Sequence, residues 1–360
     1  MKTLIESAAA AKAASTVVAQ LTTEQKNAAL LAMADALESG MADILEANRI
    51  DMERERANGM SEGMLDRLML NENRVRDMAV GLRQVAELPD PIGEVMADWR
   101  RPNGLEIRKV RVMRAALESV GVTPDAVCLV AERGHDVVDK MLTLREYIDL
   151  IIPRGSARLI NNAVSKATVP ILRTGAANCH VYVDESADYA MAEAITINAK
   201  TQRTSVCNAA ETLLVQENWA EKHLEALLKA LTDRNVELHG DKPAARYAEG
   251  MIPATEADWA DEYLRLAMAV KIVPDVKAAV EHINRYGTRH TECIVTEDGA
   301  NADYFLKNVD ASTRFTDGFE FGFGAELGIS TQKLHARGPM GLEEITSYKY
   351  LVIGTGQVRP

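Results

Sequence analysis

The residues with the clearest chemical potential surround one cysteine. In N-A-K-T-Q-R-T-S-V-C-N-A-A-E-T-L-L-V, residues 198–215, a helical pattern runs out in polar residues, Cys207 follows, and an apolar run then reads as a strand. A thiolate is a strong nucleophile, and a nearby positive charge or free backbone N–H groups lower a thiol pKa. Arg203 lies four residues upstream. The residue types therefore point to covalent catalysis at the joint of two segments. The competing reading is a small buried hydrophobe, the commonest state of a lone cysteine.

The other cysteines offer less. Cys128 in D-A-V-C-L-V and Cys293 in E-C-I-V-T sit inside apolar runs that read as strands. Cys179 precedes His180, but neighbours on a strand point to opposite faces, so that histidine cannot serve it as a base. There is no C-x-x-C pair or G-x-G-x-x-G loop. The run D-G-F-E-F-G-F-G-A-E-L-G reads either as a structural turn or as a loop whose backbone approaches a ligand. Beside it, H-A-R-G-P-M-G holds Arg337, a solvated turn residue or the grip on a carboxylate or phosphate.

The elements that position these residues fall into three textures. Residues 1–90 carry apolar positions at three- and four-residue spacing, so they read as helices around 4–20, 22–40, 41–57 and 61–87. Thr22 and Thr23 offer an N-cap. Residues 100–112 alternate charged and apolar side chains around Asn103-Gly104, which predicts a strand pair. From 114 onward helices and strands alternate, which predicts a parallel sheet covered on both faces, with ligands at the carboxyl ends of its strands. The stretch W-A-D-E-Y-L-R-L-A-M-A-V-K-I-V reads as a loop. The end, S-Y-K-Y-L-V-I-G, reads as a strand that leaves the body and pairs with the ribbon at 100–112.

The chain has 360 residues, a net charge of −12 and 5% aromatic residues. Its length predicts two domains and its acidity argues against nucleic-acid or anionic-membrane partners. Four cysteines in so long a chain fit a reducing compartment, and Glu6 and Lys12 interrupt the first apolar run. A soluble cytoplasmic protein is the expectation.

Four segments taken together resemble the γ-glutamyl phosphate reductases of the aldehyde dehydrogenase superfamily. They are T-Q-R-T-S-V-C-N-A-A-E-T-L-L-V, N-C-H-V-Y-V-D-E-S-A-D, H-I-N-R-Y-G-T-R-H-T-E-C-I-V-T-E-D, and the long A-S-T-R-F-T-D-G-F-E-F-G-F-G-A-E-L-G-I-S-T-Q-K-L-H-A-R-G-P-M-G-L-E-E-I-T-S-Y-K. The resemblance implies an α/β fold with a Rossmann-type cofactor domain in residues 1–203 (less 98–112). It implies a catalytic domain in 204–344 and an oligomerisation ribbon in 98–112 plus 345–360. It implies NADPH-dependent reduction of γ-glutamyl phosphate to glutamate 5-semialdehyde, with Cys207 holding the glutamyl group as a thioester. Gly155 and Ser156 would meet the cofactor pyrophosphate, and Glu262 the nicotinamide ribose. Arg203, Asn208, Arg314 and Arg337 are the substrate-binding candidates, and no metal is implied. A homo-oligomer is expected, with glutamate 5-kinase as a natural partner because acyl phosphates are labile. The loop I-L-R-T-G-A-A-N-C contains no acid, which suits an enzyme that keeps water off its thioester.

The chain departs from the family pattern after Val112. A P-L-G-V strand, an E-A-R-P-N segment and a G-N-A…L-R-G-G strand are missing, on the order of 30 residues or more of βαβ structure. A shorter gap falls between Val309 and Asp310. The first gap removes the opening strands of the cofactor domain and an oxyanion-hole Asn, whose loss typically costs about 100- to 1,000-fold in rate. Two outcomes stay open: an active reductase, or an impaired, shortened or designed homologue that acts as a scaffold.

Overall fold

The computed structural model describes residues 2–353 and 355, apart from 19–20, 61, 103, 113–127, 131, 133, 156, 174–176, 310, 312–319, 321, 323–325 and 333–335. The N-terminal part is helical: α1 (Leu4–Val18), α2 (Thr23–Ser39), α3 (Met41–Ala57), α4 (Glu62–Leu68) and α5 (Glu72–Glu87). Thr22 caps α2 through a full capping box with Gln25. The helix expected over 61–87 is two helices. Asn71 caps α5 by accepting from Arg74 N–H. The buried Asn48 side chain holds the break, donating to Leu68 O at 2.9 Å and accepting from Leu70 N–H at 2.7 Å.

The ribbon forms as the sequence reads. β1 (Val95–Arg100) and β2 (Glu106–Val112) pair antiparallel, and Gly104 takes a positive φ in the turn. After the helices α6 (His135–Met141) and α7 (Ala157–Lys166), a parallel sheet begins. Its elements are β3 (Cys179–Val183), α8 (Tyr189–Thr201), β4 (Ala210–Gln216), α9 (Glu217–Thr232), β5 (Glu237–Gly240), β6 (Ile252–Pro253), β7 (Ala267–Val273), α10 (Val276–Tyr286), β8 (Glu292–Val295) and α11 (Gly299–Asn308). The strand order is β6-β5-β7-β4-β3-β8, and every pairing is parallel. A short antiparallel pair, β9 (Gly328–Ser330) and β10 (Gly338–Met340), follows, and β11 (Ser347–Ile353) closes onto β2.

Side-chain alternation covers both faces of the sheet. Val181, Val183, Leu213 and Val215 pack with Trp219, Leu224, Leu227 and Leu231 of α9. Tyr182 and Leu214 point the other way, to Val280 and Ile283 of α10 and Phe305 of α11. Fully burying an aliphatic side chain contributes about 1.5–3 kcal/mol, so these two clusters dominate the stability of this half.

Three expectations are corrected here. β7 lies inside the stretch read as a loop, because A-M-A-V-K-I-V is a continuous apolar run of the kind found in strands buried on both faces. The break expected at 203 is not a break in the sheet: β3 precedes it, yet sits between β4 and β8. The strands expected in 147–153 and 169–172 are not formed as a ladder, and residues 125–127 of the strand expected in 125–130 lie outside the described residues. Ile151 and Ile171 make one isolated parallel bridge, and residues 128–130 adopt no regular structure. Leu129 is 91% exposed. The expected short helix at 114–121 lies outside the described residues.

Candidate active site

The nucleophile loop spans residues 202–209, between α8 and β4, and a buried ion pair joins its two ends. Lys200 Nζ donates to Glu211 Oε2 at 2.5 Å, with both side chains fully enclosed. Glu211 Oε1 accepts from the N–H of Leu264 at 3.4 Å. Burial pushes the Glu211 carboxyl up to about 7 and the Lys200 amine down. Leu264 has φ +52, in the left-handed region, so this acceptor also helps hold a strained turn next to Glu262.

Cys207 is half-buried. Its backbone carbonyl accepts from the thiol of Cys179, at 3.2 Å. Burial, then the negative charge of Glu326, push the Cys207 thiol up to about 11, while Arg67 and Arg154 pull it down and Glu262 pushes it up. The sequence points to a depressed thiol pKa from Arg203, and the structure corrects this. Arg203 turns to Asp66, 3.5 Å away, and loss of hydration outweighs the cations that do face the sulfur. Cys179 itself is fully buried, its thiol raised well above the ordinary range by desolvation.

A second set of contacts fixes the loop from outside. Ser205 Oγ donates to Asp66 Oδ2 at 2.6 Å, and Arg67 Nε donates to the Ser205 carbonyl. Asp66 is also paired with Arg74 at 2.6 Å. Asn178, just before β3, donates to Trp259 O at 2.7 Å and so ties β3 to the segment that leads to Glu262. Glu262 accepts from the Ala177 N–H, and burial raises its pKa. Arg154 donates to Leu327 O, next to Gly328 at φ +144, and thereby joins the R-G-S-A-R loop to β9.

These groups gather at the amino ends of β3, β4 and β7, not at the carboxyl ends as a parallel sheet would lead one to expect. The carboxyl ends of β4, β7 and β8 lead within a few residues into α9, α10 and α11, whereas the amino ends face α4 and the 154 and 327 segments.

Of the sequence-derived residues, Cys207 and Glu262 are brought to one site. Asn208 is buried beside the nucleophile. Gly155 has φ +145, which favours glycine, at the entry to α7. Arg337 lies just before Gly338, the first residue of β10. Ser156 and Arg314 lie outside the described residues. Arg67, Arg154, Asp66 and Glu326 were not read from the sequence. Arg67 and Asp66 are ordinary surface-type residues of an amphipathic helix, with no local signal that the chain folds back about 140 positions later to meet them.

The aldehyde dehydrogenase family profile matches residues 108–268. A parallel α/β sheet with the Cys207 loop at the amino ends of its strands, together with that match, defines an aldehyde dehydrogenase-type fold. The chain is 46% identical to the γ-glutamyl phosphate reductase of Halalkalibacterium halodurans and 47% identical to that of Koribacter versatilis, covering 100% and 97% of this chain and 100% and 98% of those proteins. The crystal structure of γ-glutamyl phosphate reductase from Thermotoga maritima superposes with a TM-score of 0.90 at 39% identity, over 100% of both chains. The chain belongs to the γ-glutamyl phosphate reductase family, and so to the oxidoreductases of amino-acid biosynthesis. Its alignment with the H. halodurans protein spans 415 positions, more than the 360 residues present, so that relative carries segments with no counterpart here.

Proposed function

We propose that this chain catalyses the NADPH-dependent reduction of γ-glutamyl phosphate to glutamate 5-semialdehyde and phosphate, a step of proline biosynthesis. The observation that carries the reading is a half-buried Cys207 at the amino ends of the sheet, flanked by Arg67, Arg154 and Glu262, in a chain of this family. After losing its proton, Cys207 Sγ attacks the acyl carbon of the substrate. The C–S bond forms, the bond from the acyl carbon to the phosphate oxygen breaks, and phosphate leaves with the electron pair. The glutamyl group is then held as a thioester. Loss of the aldehyde from the reduced thioester returns the sulfur as thiolate.

The residues present fit the cofactor: Glu262 accepts from the Ala177 N–H on the Cys207 side, and Gly155 holds a positive φ at the entry to α7, where a pyrophosphate would meet the helix N-terminus. NADPH, held there, supplies the hydride. The thiol, raised to about 11, is protonated at neutral pH, so its activation depends on the substrate and on the cations around it. The test is NADP-dependent oxidation of glutamate semialdehyde in phosphate buffer. Cys207→Ser abolishes it and Cys128→Ser retains it; equal loss in both overturns the assignment.

A second reading has one observation behind it. Among the described residues, the 128–173 segment carries a single bridge, Ile151 with Ile171, where a sheet was expected. That favours a scaffold which keeps the nucleophile and has lost cofactor affinity. Titration with NADPH separates the two readings: tight binding refutes the scaffold, and no binding refutes the reductase.

β11 is an edge strand of the ribbon, and Tyr348, Tyr350, Leu351, Val352 and Ile353 are exposed along it. An apolar edge pairs readily with another strand, so a second copy of the chain is the proposed occupant. Glutamate 5-kinase is the proposed source of the labile substrate. The cytoplasm is the proposed compartment, in keeping with four cysteines that form no disulfide. Among the described residues, no helix is long and apolar enough to cross a membrane.

A further inference from the structure

Arg67 lies on α4, far from the nucleophile in sequence and next to it in space. One arm of its guanidinium is used: Nε donates to the carbonyl of Ser205, two residues before Cys207. Among the described residues, its Nη1 and Nη2 groups make no hydrogen bond to protein. The neighbouring carboxylate does not claim them, because Asp66 is taken by Arg74 at 2.6 Å, the Ser205 hydroxyl at 2.6 Å and Arg203 at 3.5 Å. Arg67 is exposed, so solvent and solutes reach it. Its charge acts on both Cys207 and Glu262.

Arg203 offers the opposite case. It is the cation closest to Cys207 in sequence, but the structure pairs it with Asp66, and the cations whose charge acts on the sulfur are Arg67 and Arg154, of which Arg154 is committed to the Leu327 carbonyl. A guanidinium held by one nitrogen, with two donors free, is a preset fork for an oxyanion. Holding Nε on the Ser205 carbonyl also sets the fork relative to the nucleophile, so a bound anion would be oriented as well as attracted.

We propose that Arg67 is a substrate-binding residue that holds an oxyanion of the acyl phosphate and so orients its carbonyl carbon toward Cys207. This rests on the reading of Cys207 as the acyl acceptor. Two groups of such a substrate carry the required chemistry, the phosphoryl group and the α-carboxylate.

The test compares alkylation of Cys207 by iodoacetate, an anion, with alkylation by neutral iodoacetamide, using mass spectrometry of the peptide that contains residue 207. The ratio of the two rates in one protein cancels changes in accessibility and in thiolate fraction, which a merely structural role would alter. In Arg67→Met the iodoacetate preference falls about tenfold, the size of one lost charge-assisted contact, and in Arg67→Lys most of it returns. Inorganic phosphate or glutamate protects Cys207 from iodoacetamide in the unsubstituted chain. Protection by phosphate identifies the phosphoryl group as the partner, and protection by glutamate alone identifies the carboxylate. An unchanged ratio in a folded Arg67→Met protein overturns the proposal. Should that variant fail to fold, protection of the unsubstituted chain by neither anion overturns it instead. Absence of NADP-linked turnover with the ratio intact would count against the reductase reading and leave the Arg67 assignment standing.

Discussion

Replacing Lys200 by Met tests how the nucleophile loop is held. Lys200 and Glu211 form a fully enclosed pair at 2.5 Å, one at each end of the loop. Removing one partner leaves a buried carboxylate without its counter-charge, and such losses cost about 3–5 kcal/mol. The double change Lys200→Met, Glu211→Leu removes both charges and keeps similar volume, so it restores stability to within about 1 kcal/mol of the starting protein or exceeds it. The Leu264 N–H then loses its acceptor, and the turn beside Glu262 loosens. The double variant is therefore stable yet binds NADPH more weakly. Urea unfolding of the starting protein, Lys200→Met, Glu211→Leu and the double variant, with a cofactor titration of each, checks this. A double variant as unstable as Lys200→Met would refute the ion-pair argument. A stable double variant with unaltered cofactor affinity would refute the link from Glu211 to Glu262. The pair also predicts a pH dependence. The folded pKa of Glu211, about 7, lies above its ordinary 4.5. Its contribution is therefore complete below pH 4.5 and is lost as the pH rises through 7. Glu211→Gln flattens that decline in an unfolding series between pH 5 and 8.

Four further outcomes follow from the geometry. The rate of Cys207 alkylation by iodoacetamide rises about tenfold per pH unit from 7 to 10, because a thiol at about 11 is almost wholly protonated in that range; a plateau near pH 8 would contradict the burial argument. Asn48→Ala strands the Leu70 N–H and the Leu68 carbonyl, costs about 1–3 kcal/mol in a denaturation midpoint, and lowers activity by releasing α4 with Arg67; an unchanged midpoint would count against it. Asp66→Ala frees the Ser205 hydroxyl and Arg203, and lowers kcat more than it raises KM, as steady-state kinetics would show. Val352→Lys on the exposed β11 edge shifts the species seen by light scattering toward the monomer, and an unaltered mass would place the interface elsewhere.

Periodicity and local chemistry carried much of this protein from its sequence. The capping box at Thr22, the turn at Gly104 and the alternation of β3 and β4 are all decided by neighbours a few residues apart, so they can be read directly. Cys207 stood out for the same reason, being polar-flanked at the junction of a helix and a strand. β7 was missed because a strand buried on both faces has no alternation to reveal it. The sequence departs from the family pattern after Val112; in the fold, Leu129 is exposed and, among the described residues, Ile151 and Ile171 make one isolated bridge.

The tertiary structure alone decided which charges surround the sulfur. Arg203 is near in sequence and turns to Asp66; Arg67, Arg154 and Glu326 are distant in sequence, and their charges act on Cys207. It also decided the thiol's pKa, because desolvation depends on every element packed around a group and outweighs the charge of one neighbour along the chain. Residue types and short-range spacing thus determined that a nucleophile exists here and on which element it sits. Long-range packing determined its electrostatics, since side chains about 140 positions apart in sequence meet only once the chain has closed on itself.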